Sequence, residues 1–589
     1  AALNAMAVVI DNGGMQITTS SKHDYYYLPR TNEIIAEPKE DNFEWIFNEL
    51  SAFGELPNVD NFVISITENC NLRCTYCCYS GKYKNNRIHG TKSMSADDID
   101  AIYEFIKRTV KSKDLKIAFY GGEPLTNLPL LKYAIEKASV FFQGYNLSVS
   151  ISTNGVLLTP CTIDWFIKRN VRIDISIDGH KQIHDRLRIN VTGNGSFDYV
   201  YKALSYIKQQ HSQYLKENVL LLMTLTSLSD LETIARHWAK DEILCNLVPT
   251  KISSLAPNFK VGVTECDYEE LVEKYLELLS CYERHRDWVV LQVFFEQCIA
   301  YWINRPILDA SDSIPMSTCL PTSNKLYVDA DMKIGICEKM ADCYRIGNIS
   351  NGIDWKEANS IVSSYYKKRK HKCRNCPAVR MCNLCLTAVE YNESQWNTLC
   401  HNEKVFMKIG FRIFCEMAER GLINSEFPTL KTRRLKLTEV TDKDCLKLTE
   451  IINDKETNLF LPELIGICDT PKGVQNMVNT FKKYQNQGEG YLWGLRLDKA
   501  LIGFVGVIDL SYKPSIFYAL HPKARHKGYM QESVLAIMNY LFRNNVCNQL
   551  STEVKCGNTP SIKLLEKVGF VKLESSREII RYESIFKYK

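Results

Sequence analysis

The stretch NFVISITENCNLRCTYCCYS, residues 61–80, decides the fold of the first half of the chain. An alternating apolar run from Phe62 to Ile66 predicts a β-strand, and Cys70, Cys74 and Cys77 follow it at x3 and x2 spacing. The cysteines therefore lie on the loop that leaves the carboxyl end of the strand. Three thiolates on one short loop can hold three corners of an iron–sulfur cube and leave the fourth iron open to a small ligand.

Two simpler interpretations of this loop are a structural zinc site and three unrelated thiols. Structural zinc sites usually have four protein ligands in paired C-x2-C units, and no such partner lies nearby in the sequence. Cys78 is one thiol more than the cluster needs, and we interpret it as a packing residue.

With Tyr76 included, the three cysteines match a CxxxCxΦC motif, and here the chain resembles the radical SAM superfamily. The resemblance implies that S-adenosylmethionine (SAM) chelates the open iron through its amino and carboxylate groups. One electron from the cluster then cleaves SAM to a 5′-deoxyadenosyl radical, which abstracts hydrogen from an unactivated C–H bond. The resemblance also places Tyr76 against the adenine.

Length, composition and net charge indicate what class of protein this is and which partners its charge favours. A chain of 589 residues suggests roughly three to five domains. Hydrophobic residues at 45% and charged residues at 24% are ordinary for a globular protein. The formal charge of +5 is small for this length, so charge favours neither nucleic acid nor a membrane as a partner.

The cysteine content is unusual, at 22 residues. With no recognisable signal peptide and no apolar run of about 18 residues, metal binding or catalysis explains it better than disulfides do. We therefore expect a reduced, cytoplasmic protein. Residues 1–5, ahead of Met6, resemble an added tail and are left out of the fold.

Strand and helix patterns alternate from residue 61 to about 255, which is typical of the βα units of a parallel sheet. About six units fit, in agreement with the partial (β/α)6 barrel of the superfamily. One long helix is predicted over residues 197–215. Active residues of such a barrel are expected at the carboxyl ends of its strands.

Polar motifs fall at these predicted strand ends. They are Gly121-Gly122-Glu123-Pro124, then Ser152 and Asn154, then Ser176 and Asp178, and finally Arg188. The series SIDG…HD..R…G.GSF resembles the sulfatase-maturing and peptide-maturing branches of the superfamily.

That resemblance implies a SAM-binding role for each motif, with Asp178 among the cofactor-binding candidates. The GGEP turn holds the SAM amino group, Ser152 and Asn154 lie near the ribose, and Ser176 and Arg188 bind the ribose and the carboxylate. An arginine fork suits a carboxylate because it donates two parallel hydrogen bonds. His184 and Asp185 are assigned no chemistry, since they can simply cap the next segment.

The segments on either side of the predicted barrel carry less information. Residues 6–60 are predicted to form short strands and then a helix over 41–54 with Asp41 as a possible N-cap. They act either as a leader-peptide-binding segment or as a cap on the barrel. Residues 256–315 are predicted to be a helical connection, in which Cys298 is a remote candidate ligand.

A second cysteine field lies between residues 316 and 402. Its eight members are Cys319, Cys337, Cys343, Cys373, Cys376, Cys382, Cys385 and Cys400. Eight cysteines match two sites of four ligands, and two zinc sites are the physical alternative to iron–sulfur clusters.

The pattern resembles the SPASM domain, which carries two auxiliary 4Fe–4S clusters. The resemblance gives the outer cluster Cys373, Cys376, Cys382 and Cys400. It gives the inner cluster Cys319, Cys337 and Cys385, with Cys343 as the fourth ligand. Two departures from the pattern affect the inner site: Met332 replaces a glycine, and Cys382 and Cys385 are separated by two residues instead of three.

Glu338 directly follows Cys337. In sulfatase-maturing relatives an acid at this place serves as the catalytic base. A carboxylate here is otherwise a solvated surface group, because a suitable pKa depends on burial.

After a helix and linker over residues 403–431, the chain changes character. An α+β pattern fills residues 432–589, and Arg525 and Gly528 open a helix in a way that suits a pyrophosphate. Together with Asn558 and Ser561 these residues resemble GNAT acetyltransferases, which implies acetyl-CoA as a cofactor. His526 and Met530 depart from the loop pattern, so a non-catalytic binding module is the alternative.

We therefore predict a radical SAM barrel, a SPASM iron–sulfur domain and a GNAT domain, with three 4Fe–4S clusters, SAM and acetyl-CoA. The predicted function is maturation of a ribosomally made precursor peptide through a thioether or carbon–carbon cross-link. A flavodoxin or ferredoxin would donate electrons, and acetylation of the product peptide by the GNAT domain is the second predicted activity. The alternative is a sulfatase-maturing enzyme that makes formylglycine.

Overall fold

The computed structural model describes most of the chain. The described residues are 15–37, 45–47, 59–83, 85–254, 264–305, 319–321, 324–390, 392–423, 427–461, 468, 470–498, 500–510, 513–543, 546–547, 549–576 and 578–585. The predicted tail at 1–5 and the first predicted strand, at 7–12, lie outside them. The chain forms two compact units, residues 1–299 with 306–413, and residues 300–305 with 414–589.

The first unit begins with a small antiparallel sheet in the order β1-β2-β3. Its strands are β1 (Met15–Thr18), β2 (Asp24–Leu28) and β3 (Glu33–Ile35). Tyr27 at its centre is fully buried and donates from its hydroxyl to Asn32 Oδ1 at 2.9 Å. This confirms the strands predicted around residues 23–38.

The helix predicted over residues 41–54 is wrong where the structure describes it. Residues 45–47 are not helical, and Ile46 lies in a β-bridge. Trp45 and Phe47 are buried whereas Ile46 between them is 58% exposed. This period of two is that of an extended chain, and packing of the two aromatic rings on one neighbour outweighs the helical pattern. The remainder of the predicted helix is outside the described residues.

Six parallel strands form the core of the first unit and confirm the predicted βα repeat. They are β4 (Asn61–Thr67), β5 (Asp114–Gly121), β6 (Asn146–Thr153), β7 (Arg172–Ser176), β8 (Val219–Leu225) and β9 (Pro249–Ser254). Each pairs in parallel with the next along the chain. Apolar side chains on the helical face, such as Ile117, Phe119 and Ile173, are fully buried or nearly so.

Helices connect these strands. They are α1 (Ala96–Thr109), α2 (Leu128–Phe141), α3 (Pro160–Ile167), α4 (Lys181–Leu187), α5 (Phe197–Gln210), α6 (Ser212–Asn218) and α7 (Leu231–Lys240). The single helix predicted over 197–215 is interrupted at His211, whose backbone is not helical (φ −143°, ψ 49°). Its imidazole lies 2.9 Å from Asp164 Oδ1, and this contact favours the interruption.

The rest of the first unit begins with the predicted helical connection and continues with a meander. Its elements are α8 (Tyr268–Arg284), α9 (Val289–Asn304), β10 (Lys325–Val328), β11 (Lys333–Gly335), β12 (Arg345–Asn348), β13 (Gly352–Ile353), α10 (Trp355–Lys372) and α11 (Glu393–Glu419). The last residues of α9 and α11 belong to the second unit. Strand β10 pairs in parallel with β4, so the second cysteine field extends the barrel sheet to ten strands among the described residues. Helix α11 begins at 393, ahead of the predicted start, and therefore carries Cys400.

The second unit contains a mixed sheet in the order β14-β15-β16-β17-β18-β19-β21-β20. Its elements are β14 (Leu430–Lys431), β15 (Lys436–Glu439), α12 (Cys445–Ile452), α13 (Lys455–Phe460), α14 (Pro471–Gln487), β16 (Tyr491–Leu497), β17 (Ala500–Ile508), β18 (Ser515–Leu520), α15 (Tyr529–Arg543), β19 (Gln549–Lys555), α16 (Thr559–Lys567), β20 (Val571–Ser575) and β21 (Ile579–Ile585). Two hydrophobic clusters pack on it, one centred on Trp493 and α15, the other on Phe504, α12 and α14. The predicted antiparallel pair around 498–499 is β16 with β17.

Among the helices that the structure describes, none combines the length and apolar composition needed to cross a membrane.

Candidate active site

The three-cysteine loop lies against the carboxyl ends of the barrel strands. Its backbone is held by the segment after α4, since the amide of Arg73 donates to Ile189 O at 2.6 Å and that of Thr75 donates to Leu187 O at 2.9 Å. Cys70, Cys74 and Cys77 are each partly buried. These bonds tie the loop backbone to the end of α4, and the three thiols share one rim of the barrel.

The thiols receive few compensating contacts from the protein. The amide of Leu72 donates to Cys70 Sγ at 3.5 Å, and Cys77 Sγ lies 3.4 Å from His89 Nε2. Burial raises the pKa of Cys70 to about 12 and that of Cys74 to about 11. A positive metal centre would have to compensate these buried thiolates, and the chemistry of the donor set fits an iron–sulfur cluster.

The GGEP turn packs directly on the base of the cysteine loop. Gly121 has φ +156°, and a Cβ atom there would lie 2.3 Å from Thr67 O. A Cβ on Gly122 would lie 2.3 Å from Asn69 O. The amides of Gly122 and Glu123 donate to Thr67 O and Asn69 O at 2.9 and 2.8 Å. Glycine is thus required for contact with the loop backbone, a role that the sequence did not indicate.

Glu123 is 1% exposed and ties two strand ends together. Its carboxylate accepts from Thr153 Oγ1 at 2.7 Å, from the amide of Asn154 at 2.6 Å and from that of Leu125 at 3.1 Å. Burial raises its pKa to about 7 although these hydrogen bonds stabilise the ionised form. Pro124 follows in a short 3-10 turn and is buried.

Of the remaining strand-end candidates, Asn154 contacts the loop directly. Asn154 Nδ2 donates to Asn71 Oδ1 at 2.7 Å and lies 4.0 Å from Cys70 Sγ. Ser152 and Ser176 lie at the carboxyl ends of neighbouring strands, where Ser152 pairs in register with Asp174 and Ser176 with Leu222. The side-chain amide of Asn154 therefore borders the cysteine loop, and the two serines lie at the same edge of the sheet.

Tyr76, Asp178 and Arg188 form a buried network next to Cys74. Arg188 donates from Nε and Nη2 to the two Asp178 oxygens at 2.7 and 3.3 Å. The Tyr76 hydroxyl donates to Asp178 Oδ2, and the amide of Thr224 donates to Oδ1 at 2.8 Å. The Arg188 fork is therefore occupied by Asp178, whereas the sequence pattern offered it to a SAM carboxylate.

His184 supports this network, which sequence reasoning did not foresee. It is fully buried, its Nδ1 accepts from the amide of Asp178 at 3.2 Å, and its Nε2 lies 3.0 Å from Ser196 Oγ. Burial lowers its pKa to about 4, with a further contribution from Arg188. A neutral imidazole thus orients the loop that carries Asp178.

A buried arginine joins the cysteine loop to the second cysteine field. Arg87 donates from Nε to Glu338 O at 2.8 Å and from Nη2 to Gly121 O at 2.9 Å. Its guanidinium stacks on the Tyr79 ring at 3.6 Å, and the Tyr79 hydroxyl lies 3.1 Å from that of Tyr120. No local pattern indicated Arg87, because its partners are distant in sequence.

Glu338 is mostly buried and lies beside a lysine. Its Oε2 accepts from Lys325 Nζ at 2.9 Å. Burial opposes its ionisation, but Lys325 more than offsets this and lowers the pKa below the ordinary value. Glu338 is therefore an ionised carboxylate next to Cys337, not a solvated surface group.

Four cysteines of the second field are neighbours. Cys373, Cys376 and Cys400 line a cavity of about 350 Å³. Cys382 and Cys376 are close enough for their charges to interact, and Arg369, which is 1% exposed, faces Cys373 and Cys382. A buried guanidinium beside thiols suits an anionic metal–sulfur group, so these residues fit a cluster.

The four cysteines predicted for the inner cluster show fewer contacts with one another. Lys325 is close enough to interact with both Cys337 and Cys319. Cys343 is exposed in a 3-10 turn, and Cys385 lies in the turn before residues 386–390. Their membership in an inner site stays a prediction. Cys298 lies on α9, where burial raises its pKa to about 12. Among the described residues, no three His, Cys, Asp or Glu side chains are grouped around a single metal-ion position.

The second unit has an open wedge in its sheet. Strands β18 and β19 run in parallel but pair only at Ser515 and Ser551. The loop that leads to α15 has left-handed backbone at His526 (φ +62°) and Gly528 (φ +77°). His526 thus adopts a conformation that favours glycine, and the loop fits a phosphate ligand at the start of α15.

The side chains predicted to bind CoA have structural partners. Arg525 donates to Asp454 and Glu456 at 2.5 Å each and to Thr457 Oγ1 at 3.0 Å. Asn558 caps α16 by accepting from the amide of Ser561 at 3.2 Å. The Ser561 hydroxyl donates to Tyr518 OH at 3.2 Å, at the wedge between β18 and β19. These polar groups remain next to the wedge, with Arg525 committed to α13.

Comparison with known proteins identifies both units. The profile of the Radical SAM superfamily matches residues 64–237, and that of the Acetyltransferase (GNAT) domain matches residues 434–571. The chain is 24% identical over 331 residues to the cysteine-type anaerobic sulfatase-maturating enzyme of Clostridium novyi, covering 54% of this chain and 84% of that protein.

A second relative and one solved structure extend the comparison. The radical SAM cyclopropyl synthase TigE of Paramaledivibacter caminithermalis is 24% identical over 339 residues, covering 55% of this chain and 67% of that protein. The solved structure titled "Native anSMEcpe with bound AdoMet" is 20% identical, with a TM-score of 0.44, and covers 61% of this chain and 99% of that chain.

The predicted fold class is thus confirmed for its two recognised parts. The family matches imply SAM and an iron–sulfur cluster for the first and acetyl-CoA for the second. The chain is an enzyme that combines a radical SAM domain, homologous to those of sulfatase-maturating enzymes and cyclopropyl synthase TigE, with a C-terminal GNAT acetyltransferase domain.

Proposed function

We propose that the first unit matures a ribosomally made precursor peptide by closing a thioether or carbon–carbon cross-link. The observation that carries the proposal is the joining of two cysteine sites within one unit through Arg87. This residue donates to the GGEP turn on one side and to the Cys337–Glu338 segment on the other. An enzyme that only generates a radical would not need the second site.

Each part of the first site has a proposed role. Cys70, Cys74 and Cys77 hold the cluster, and Gly121, Gly122, Ser152, Asn154 and Ser176 border the SAM molecule. The bound cluster and SAM supply the radical that abstracts hydrogen from the substrate. Asp178 and Arg188 hold Tyr76 in place through a buried ion pair.

The eight later cysteines are proposed as a SPASM domain with two auxiliary clusters. The outer set of Cys373, Cys376, Cys382 and Cys400 is supported by the cavity that three of them line and by the buried Arg369, which faces Cys373 and Cys382. Three 4Fe–4S clusters per chain follow from the proposal. A flavodoxin or ferredoxin is the proposed electron donor.

The proposed role of Glu338 is that of a base. An ionised carboxylate can accept a proton from the oxidised substrate, and Lys325 holds the carboxylate in place. The second unit is proposed to acetylate the peptide on a lysine or its amino terminus, with Ser561 and Tyr518 placed at the wedge where acetyl-CoA would bind.

The test uses the full chain, reconstituted anaerobically with iron and sulfide. It is incubated with SAM, a reductant and candidate precursor peptides, taken from any short reading frames that flank the gene. We expect 5′-deoxyadenosine and a peptide that has lost hydrogen and resists thiol alkylation or sequential fragmentation at the cross-link. Absence of both 5′-deoxyadenosine and a mass change would exclude the proposal.

Formylglycine formation is the second candidate, because a sulfatase-maturating enzyme is among the relatives and Glu338 follows Cys337. A sulfatase peptide that contains the target Cys or Ser separates the two functions. An aldehyde that reacts with a hydrazine probe, without a ring, supports formylglycine formation. A cross-linked product without an aldehyde supports peptide maturation.

A further inference from the structure

The loop that carries Cys373 and Cys376 is covered by a tryptophan from the amino-terminal segment. Trp45 is 1% exposed and Phe47 is 9% exposed. Both belong to one hydrophobic cluster with Cys373 and Val379, against which Tyr366 and Cys376 pack. This segment therefore packs on the outer cysteine site, whereas the sequence suggested a barrel cap or a leader-binding element.

Two hydrogen bonds fix the tryptophan to the cysteine loop. The amide of Trp45 donates to Arg374 O at 2.8 Å, and its indole Nε1 donates to Cys376 O at 2.9 Å. Both acceptors are carbonyls of the loop between or at its two cysteines. These carbonyls share their peptide planes with the nitrogens of Asn375 and Pro377. One residue further along the same loop, the amide of Ala378 donates to the Cys376 sulfur.

A third contact joins the tryptophan to the amino-terminal sheet. The Arg380 guanidinium lies 4.9 Å from the Trp45 ring centroid and donates from Nε to Pro29 O at 2.8 Å. Phe47 contacts the Tyr366 ring edge-on, at 5.8 Å between centroids. The contact thus involves residues 45–47 and the chain after β2, and it does not depend on one side chain alone.

We infer that Trp45 is a positioning residue for the metal–sulfur group that Cys373, Cys376, Cys382 and Cys400 hold. Its ring excludes water from one side of the site, and its two N–H groups fix the loop that presents two of the four thiols. Groups next to metal ligands commonly set the affinity of a site and its access to solvent. The inference rests on the part of the proposed function that places such a group at these cysteines, and it does not depend on the peptide reaction.

Release of bound metal to a chelator tests this role without reference to activity. Wild type, W45F and W45A are reconstituted as full chains, and iron and zinc contents are measured. A C376S variant defines which metal belongs to the outer site. Release from that site to bathophenanthroline (iron) or to a pyridylazo dye (zinc) is then followed under anaerobic conditions.

W238F is the matched control. Trp238 is also 1% exposed in the same unit and donates from its indole to a backbone carbonyl, Leu247 O, at 2.9 Å. It lies on α7, and its indole contacts none of the four outer-site cysteines. A general loss of stability would affect W45F and W238F alike, and circular dichroism compares their folding directly.

We expect W45A to release the outer metal about 10- to 100-fold faster than wild type. W45F keeps the ring but lacks the indole N–H, so its release rate is expected to lie between the two, and W238F is expected to match wild type. Equal release rates in wild type and both Trp45 variants would overturn the inference, as would equal acceleration in W238F. Absence of metal at these cysteines in wild type would overturn both the inference and the outer-cluster proposal.

Discussion

Arg188 is a charge removed from water, since its side chain is 9% exposed and that of its partner Asp178 is 1% exposed. The pair is worth little as a source of stability by itself, because desolvation offsets the attraction. The pair instead orients its neighbours. Arg188 donates to both Asp178 oxygens, and one of these oxygens also accepts from the Tyr76 hydroxyl. Removing one partner leaves the other charge buried and uncompensated.

The D178N variant is therefore expected to lose about 3–5 kcal/mol of unfolding free energy. Urea unfolding of the anaerobic protein at pH 7 measures the change. The control is D100N, which removes the acid of a half-exposed ion pair with Lys137 at 3.0 Å and should cost about 1 kcal/mol or less. Equal losses in the two variants would show that the buried pair does not have the assigned role.

The ionisation of Glu123 makes the stability of the first unit depend on pH, and the raised pKa determines the direction of that dependence. Its pKa is about 7 in the folded chain, raised by burial from the ordinary value of 4.5. Between these values the folded state binds more protons than the unfolded state, so stability contributed by this group falls as pH rises from about 4.5 to 7.

The stability of wild type relative to E123Q is thus expected to decrease by up to about 3 kcal/mol from pH 4.5 to 7 and to stay constant above it. Urea unfolding at several pH values measures the difference. E104Q, at an exposed position on α1, is the control and should show a constant difference. A wild-type advantage over E123Q that grows with pH would contradict the assignment.

Among the elements, the segment 85–87 connects the cysteine loop to the second cysteine field. It pairs with 339–341 through the amides of Arg87 and Ala341, which donate to Lys339 O and Asn85 O at 3.1 and 2.9 Å. The buried Arg87 side chain adds the bonds to Glu338 and Gly121. This short pairing determines how firmly the two sites are joined.

Replacement of Arg87 by Met leaves two buried carbonyl groups without their donor and is expected to cost about 2–4 kcal/mol. Hydrogen exchange at the Ala341 amide should also become faster. K92M is the matched control, because Lys92 joins the same two regions through an exposed ion pair with Asp331 at 2.7 Å and should leave stability nearly unchanged. Unchanged exchange at Ala341 in R87M would contradict the connecting role.

Whether the sequence could predict a feature of these elements depends on how far apart in the sequence the contacting residues lie. The strand before Cys70, the βα units and the turn at Gly121 follow from local patterns, and the structure has them. Arg87 and Trp45 could not be found in this way, because their partners Glu338 and Cys376 lie 251 and 331 residues away. The incorrect prediction of a helix at residues 45–47 has the same cause, since contacts with a cysteine loop that is distant in sequence hold these residues in an extended conformation.

In the GNAT domain, the sequence identified residues correctly but did not show which partners their side chains have. Its signature residues Asn558 and Ser561 were recognised, but the sequence could not show that Asn558 caps α16 or that Arg525 binds two acids of α13. Residue type alone does not reveal whether a side chain is already occupied. The left-handed backbone at His526 likewise became visible only in the fold.

At the scale of the whole molecule, the two compact units predict two unfolding transitions in anaerobic calorimetry, since separate cores need not unfold together. Acetyl-CoA at about 100 times its Kd should stabilise one transition by about 2.7 kcal/mol and leave the other unchanged. SAM should have the opposite selectivity. Failure of acetyl-CoA to shift either transition would favour a non-catalytic second unit.

We propose that Cys70, Cys74 and Cys77 hold a cluster that cleaves SAM reductively. The most direct measurement is 5′-deoxyadenosine formation by the reconstituted full chain with SAM and a reductant, compared with a C74A variant. We expect formation by wild type and none above background by C74A, with the outer-site metal retained in both. No 5′-deoxyadenosine from wild type that contains its iron, or equal amounts from C74A, would contradict it.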